Sequence, residues 1–368
     1  MRVSSLDVPF ATAADQAACR AAIRAGSKSF FTASTLLPPS VRTPSFGLYA
    51  FCRVSDDAVD EAGSRLCRRA AVEGLSQRLT LAYAGRPAAS PADRALADIV
   101  ARYAIPEVLP RALLEGLAWD SQGRRYATLS DLTDYAARVA GAVGAMMTLI
   151  MGVRDPTVLA RACDLGVAMQ FTNIARDVGE DARAGRLYLP LDWLAEVGVD
   201  PDAFLARPEA NPEIRTVVAR LLGAAEALYQ RSESGISGLP LACRPAIRAA
   251  RLIYAEIGRA IEANGLDSIS RRARVSRSRK AVLLARAALP NPALKLKELP
   301  PLPATAYLVE GVRQHPLQAA AIPRRLPAWW DISGRIVHVL DLIEQLEKRD
   351  LFERSPSISI LPRQSGTA

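Results

Sequence analysis

Histidine is nearly missing from this chain of 368 residues: His315 and His338 are the only two, both close to the C-terminal end. So little imidazole disfavours a zinc hydrolase and a histidine-centred nucleophile relay. Cysteine is sparse too, with Cys19, Cys52, Cys67, Cys163 and Cys243 scattered, odd in number and never spaced as CxxC. That usage fits a reducing cytoplasm in which the thiols serve as small apolar side chains. Aromatic residues make up 6% of the chain, and no run of alternating β-branched residues stands out. Strands are therefore not expected, and the abundance of Ala, Leu and Arg points to an all-α protein. The longest apolar run, Gly141 to Val153, is too short for a bilayer span. The opening MRVSSLDVPF lacks the charged start and apolar centre of a secretory signal, so none is expected. The expected location is the cytoplasm, peripheral contact with the cytoplasmic membrane being a further option.

What the chain does have is positive charge. Lys and Arg number 47 against 38 Asp and Glu, a net charge of +9. Such an excess suits anionic partners: phosphates, an acidic membrane surface or nucleic acid. An arginine-preferring composition accounts for it equally well. Nucleic acid is disfavoured, because the arginines are dispersed and no aromatic platform interleaves with them. Half of the residues are apolar, enough to fill the core of one large domain or two.

Two stretches carry chemistry. In the first, FGLYAFCRVSDDAVDEAG from Phe46 to Gly63, an apolar helical run ends in Asp56, Asp57, Asp60 and Glu61. Residues four apart share a helix face, so Asp56 aligns with Asp60 and Asp57 with Glu61, while Tyr49, Arg53 and Asp57 form a ladder beside them. Like charges at that spacing cost an isolated helix a few tenths of a kcal/mol each and call for a compensating cation, either a basic side chain or a metal ion. In the second stretch, Pro156 to Ala184, Gln170, Asn173, Asp177 and Asp181 form one polar stripe on an otherwise apolar helix, with Arg176 alongside. Such a stripe reads as the inside wall of a polar pocket. Carboxylates on facing helices are a recurring way to build a metal site in a bundle core, and all-oxygen ligands select hard cations. Mg²⁺ in particular is held by a few carboxylates together with substrate phosphates, so the implied substrate is a diphosphate.

Two weaker signals accompany these. Ser27, Lys28 and Ser29 follow a helix break at Gly26 and suit either contact with an oxyanion or an ordinary capping turn. Ser130 or Thr128 can cap a long helix that runs through Tyr135 to Gly152 and is lined by Ala140, Gly141, Ala142, Gly144 and Ala145, small residues that serve close packing or clear a tunnel for a long apolar ligand.

The segments SKSF, LYAFCRVSDDAVDE, YAARVAGAVG, QFTNIARDVGEDARAGRLYLP and RRARVSRSRKA, in this order over roughly residues 15–290, resemble the motifs of the squalene/phytoene synthase family. The resemblance implies an isoprenoid synthase helical bundle with a central cavity. It also implies a Mg²⁺-dependent prenyltransferase, with Mn²⁺ as substitute, that joins two geranylgeranyl diphosphates head to head through a cyclopropylcarbinyl diphosphate to give phytoene, without NADPH. On that basis Asp56, Asp57, Asp60, Asp177 and Asp181 would hold metal. Tyr49, Arg53, Tyr135, Asn173, Arg176 and Tyr254 would act in the chemistry, and Ser27, Lys28, Ser29, Phe30, Val139, Ala140, Val143, Gly144, Gln170, Arg272 and Lys280 would bind substrate. The chain departs from the family where Ala137 replaces a common second Tyr and Arg274 a usual aromatic, and around Trp119. Two alternatives stand beside this reading: a squalene-type synthase acting on farnesyl diphosphate, and a non-catalytic relative serving as an assembly factor, against which the intact DxxxD pairs argue. The expected partners are prenyl diphosphates, a membrane surface and downstream carotenoid enzymes, with no nucleic acid.

The expected catalytic domain spans residues 1–298. Residues 299–368 read as a Pro-rich linker (Pro300, Pro301, Pro303, Pro316, Pro323, Pro327) and a helix from Asp331 or Ser333 to Leu351, followed by a disordered tail. Docking of that helix on its own domain is favoured over a membrane or partner contact.

Overall fold

The structure, a computed structural model, describes residues 9–289 and 295–316, together with residue 340. The helix expected from Asp331 or Ser333 to Leu351 and the tail after it lie outside these residues. No strand occurs among the described residues, which form an all-α bundle.

The N-terminal half runs through α1 (Ala13–Gly26), α2 (Lys28–Ser34), α3 (Pro39–Asp60), α4 (Arg65–Tyr83), α5 (Pro91–Tyr103) and α6 (Val108–Gln122). Polar caps set most of these starts. Thr12 and Asp15 form a reciprocal capping box on α1, and Ser64 and Ser90 cap α4 and α5. Ser27 ends α1 in extended backbone and then caps α2, its Oγ accepting from the Phe30 N–H at 3.2 Å. This hinge sets the short α2 against α13 (Arg244–Ala263), which is how the Phe30 ring comes to pack on Tyr254.

The middle of the chain is α7 (Leu129–Ala136), a π-helical turn (Ala137–Gly141) and α8 (Ala142–Ile150), followed by α9 (Pro156–Arg183). The helix expected from Tyr135 to Gly152 is thus continuous in direction but widened over one turn, a local unwinding that is frequent at functional sites. Its small residues face α9: a Cβ on Gly144 would collide with the Ala162 carbonyl, and one on Gly166 with the Ala140 carbonyl. Close packing is therefore one use of the small-residue stripe, and the cavity described below is the other.

The 28-residue α9 is the central post, packed against α8, α12 (Pro212–Glu233) and α13 (Arg244–Ala263). Its capping Asp155 and Pro156 at the first helical position start it cleanly. Two short helices, α10 (Leu191–Glu196) and α11 (Pro201–Ala206), cross before α12, and α14 (Arg277–Ala288) lies beside α13. One apolar cluster surrounds the C-terminal half of α9, including Phe171, Ile174, Leu221, Tyr229 and Ile253. A second lies between α3–α6, α8 and the N-terminal half of α9, including Phe51, Leu96, Leu109, Met146 and Leu159.

Where the proline spacing suggests extended chain beyond residue 298, the described part contains a 3₁₀ turn (Pro303–Thr305) and α15 (Ala306–Arg313), whose Leu308, Val309 and Val312 are buried. Arg161, itself fully buried on α9, donates to the Leu299 and Pro300 carbonyls at 3.0 and 3.1 Å. Asp164, at 2.7 Å from Arg161 and 2.9 Å from Arg231, pairs with both guanidiniums. A buried carboxylate between two guanidiniums thus anchors this segment to the bundle.

Candidate active site

An apolar cavity of about 300 Å³ lies inside the bundle. Its walls include Phe30, Ala33 and Ser34 of α2, Leu48, Tyr49 and Cys52 of α3, Val139, Ala140, Val143 and Gly144 of the π turn and α8, and Leu165, Met169, Gln170 and Asn173 of α9. Among the residues expected to bind substrate, Phe30, Val139, Ala140, Val143, Gly144 and Gln170 are therefore brought together around one space, joined by Tyr49 and Asn173. Gln170 and Asn173 supply polar atoms to this largely apolar lining, as do Ser34, Ser45, Tyr49 and Thr148. The Asn173 amide donates to Gln170 Oε1 at 3.5 Å, and its buried Oδ1 has no hydrogen-bond partner.

Along α3 and α9 beyond this end stand the two acidic groups. Arg53 pairs with Asp57 at 2.5 Å and with Asp56 at 3.4 Å. Burial, then repulsion from Asp60, pushes the Asp56 carboxyl up to about 6, against the pull of Arg53. Asp60 reaches across to Arg186 at 2.7 Å, and the same guanidinium lies 3.8 Å from Asp181 of α9. The two acidic helices therefore face each other and share a cation. Burial raises Asp181 to about 7, opposed by Arg186 and reinforced by Asp177 and Asp120. Asp177 differs: burial works to raise it, but forked contacts from Arg176 (2.8 and 2.5 Å) and Arg272 (2.9 and 3.2 Å) hold it below the ordinary carboxylate value.

The remaining expected residues frame this polar end. Tyr254 packs its ring 4.9 Å from that of Phe30; burial pushes its hydroxyl up, while nearby Arg176 and Ser27 pull it down. Lys280 is lowered by burial and by the like charge of Lys28, so these two cations lie near each other. Lys28 and Arg272 are exposed, and Ser29 is half-buried on α2. Tyr135 is buried and donates its hydroxyl to Asp120 Oδ2 at 2.9 Å.

Asp120 and Arg186 were not singled out by the periodicity. Asp120 of α6 also accepts from the Tyr188 hydroxyl at 2.7 Å, and burial raises it to about 7 against those two hydrogen bonds. The rings of Tyr126 and Tyr188 each stand 5.2 Å from that of Tyr135, forming a buried aromatic wall. The signal available for Asp120 was a carboxylate continuing the buried Leu113 and Leu117 stripe at helical spacing. Arg186 returns to Asp181 because Gly185, at φ +73°, reverses the chain after α9 and lets the Arg186 N–H bond the Asp181 carbonyl at 2.8 Å.

Among the described residues, no three His, Cys, Asp or Glu side chains converge as a ready-made metal cluster. The donor chemistry nevertheless suits a hard divalent cation. Two facing sets of carboxylates, two of them held above their ordinary range by burial and like charge, stand beside a buried amide oxygen with no partner. Guanidiniums currently occupy part of that negative field.

The family model described as squalene/phytoene synthase matches residues 23–279. The chain is 53% identical over 350 residues to a phytoene synthase of Cereibacter sphaeroides, covering 92% of this chain and 95% of that protein. It is 53% identical over 304 residues to a phytoene synthase of Rhodobacter capsulatus, covering 81% and 90%. Its fold resembles the crystal structure of a dehydrosqualene synthase in complex with ligand, with a TM-score of 0.68 and 30% identity, covering 74% of this chain and 95% of that one.

Proposed function

Because the chain belongs to the squalene/phytoene synthase family, we propose that it condenses two geranylgeranyl diphosphates head to head to phytoene. The observation that carries the reading is the sharing of Arg186 by Asp60 of α3 and Asp181 of α9, near an apolar cavity lined by the same two helices. A diphosphate fits the polar end, and its prenyl chain fits the cavity.

Asp56, Asp57, Asp60, Asp177 and Asp181, with the Asn173 amide oxygen, would hold Mg²⁺ or Mn²⁺, which when bound neutralises diphosphate charge. The chain's own cations do the rest of the anchoring: Arg53, Arg176, Arg272, Lys28 and Lys280 present fixed charge to a departing diphosphate. Ser27, Ser29 and Gln170 add neutral hydrogen-bonding groups. As the C1–O bond of the donor breaks, the C2–C3 double bond of the second substrate attacks C1, one proton leaves, and a cyclopropylcarbinyl diphosphate forms. A second ionisation, rearrangement and proton loss complete the triene, with two diphosphates and two protons released in total. The rings of Phe30 and Tyr49, which line the cavity, and of Tyr254, packed on Phe30, would stabilise positive charge on carbon. Val139, Ala140, Val143 and Gly144 keep water from it. Asp120 holds the Tyr135 and Tyr188 hydroxyls in fixed orientation beside this chemistry.

Residues 1–298 would form the catalytic unit, with 299–368 accessory. No described helix is long and apolar enough to cross a membrane. Peripheral attachment to an acidic membrane is supported by exposed Arg271, Arg274 and Arg277 and exposed Val282 and Leu289 within one stretch of 19 residues of the chain. Such attachment would help hand a water-insoluble product to downstream carotenoid enzymes.

The test is incubation of the purified full chain with the C15 or the C20 diphosphate, Mg²⁺, and NADPH present or absent, followed by extraction of hydrocarbon. A C40 triene from the C20 substrate without NADPH is expected. A C30 product alone would transfer the reading to the squalene-type alternative.

A further inference from the structure

A second groove, of about 370 Å³, lies outside the bundle, lined by Ala13, Gln16, Ala17 and Arg20 of α1, Phe31 of α2, Thr35, and Arg42, Thr43 and Phe46 of α3. Positions 13, 16, 17 and 20 form one face of α1, so the lining is a continuous surface rather than a chance gap. The same three helices wall the catalytic cavity with their other faces: Ile23 on α1, Phe30 and Ala33 on α2, Ser45 and Leu48 on α3. The α2 helix is thus a single layer between the two spaces.

The groove carries two positive charges and no compensating carboxylate. Neither Arg20 nor Arg42 forms an ion pair among the described residues; Arg42 donates to the Thr35 carbonyl at 3.4 Å. Neighbouring arginines behave otherwise, since Arg94 takes Asp15 at 2.6 Å and Arg78 takes Asp93 at 2.8 Å. No Asp, Glu or Lys lines the groove. Gln16, Thr35 and Thr43 add neutral hydrogen-bonding groups, while Phe31 and Phe46, stacked with centroids 6.2 Å apart, provide an apolar side. A guanidinium is suited to forked recognition of phosphate oxygens, and two of them line this groove. We propose that this groove is a second anion site, distinct from the catalytic pocket, that takes a small molecule bearing a phosphate or diphosphate on an apolar group.

The test uses the full chain in EDTA, which removes binding that depends on divalent metal at the carboxylates. Equilibrium dialysis is run against radiolabelled inorganic pyrophosphate in one arm and soluble dihexanoylphosphatidic acid in the other, distinguishing a free phosphate from a lipid headgroup. Wild type, Arg20→Gln, Arg42→Gln, the double variant and Arg53→Gln are compared, with melting temperature as the check on folding. The double variant should bind at least tenfold more weakly than wild type in the arm with the tighter ligand, a loss that Arg53→Gln, at the catalytic pocket, does not match. If the double variant melts early, Arg20→Gln alone must still weaken binding at least threefold. Affinity within twofold of wild type in both arms, or a loss confined to Arg53→Gln, would overturn the proposal. Turnover of the C20 diphosphate is measured separately, so failure here leaves the catalytic reading to its own test.

Discussion

Asp120 accepts the hydroxyls of Tyr135 and Tyr188, and its burial holds its pKa at about 7, so protonation here is coupled to stability. An unfolded aspartate ionises near about 3.9, and between that value and the folded one the native state carries a proton that the unfolded state lacks. Stability from this group is therefore lost as pH rises through that window. The melting temperature of the metal-free protein should fall from about pH 5 to about pH 8, and Asp120→Asn, which cannot ionise, should fall less. Parallel pH profiles for the two proteins in calorimetry would remove Asp120 as the source. The elevated carboxyls of Asp56, at about 6, and Asp181, at about 7, act on turnover with a definite sign. Both must be ionised to hold a cation, so kcat/KM should drop as pH falls through that range. Alanine at Asp56, Asp60, Asp177 or Asp181 should each lower turnover by about 100-fold or more while leaving helical circular dichroism intact; near-normal rates in any one at saturating Mg²⁺ would remove that residue from the site.

At the scale of elements, the packing of α8 on α9 separates two kinds of substitution that look alike in sequence. Gly144 and Gly166 face carbonyls of the opposing helix with no room for a Cβ, so Gly166→Ala should destabilise by about 1–3 kcal/mol, read from urea unfolding. Ala140 contributes to the cavity wall, and Ala140→Phe should depress use of the C20 diphosphate more than the C15 one. Each methylene that fits the cavity contributes about 0.8 kcal/mol on burial. An unchanged C20 to C15 ratio of kcat/KM in competition would show that this wall does not set chain length. The segment carrying α15 makes a third distinction. Arg161 holds the Leu299 and Pro300 carbonyls, and α15 buries Leu308, Val309 and Val312. Truncation after residue 316 should leave the melting temperature close to that of the full chain, whereas truncation after residue 298 should lower it by several degrees. Equal melting temperatures would make the whole tail dispensable to the fold.

At the scale of the molecule, what could be read in advance followed from local periodicity. The helix read through Tyr135 to Gly152 is present as α7, the π turn and α8, ending at Ile150. The DxxxD pairs are visible because residues four apart share a face within one helix. Tyr188 meets Asp120, and Arg186 meets Asp60, only through contacts 68 and 126 residues apart in sequence, which no periodicity encodes. The same limit applies to α15, where prolines suggested extended chain and burial against α6, α8 and α9 decided for helix. The central claim is that the acidic groups of α3 and α9 serve one diphosphate site. Calorimetric titration with a non-hydrolysable thio analogue of geranylgeranyl diphosphate, with and without Mg²⁺, tests it most directly. Asp60→Asn on one helix and Asp181→Asn on the other should each abolish the Mg²⁺-dependent gain in affinity, whereas a gain retained in full by either variant would contradict a shared site.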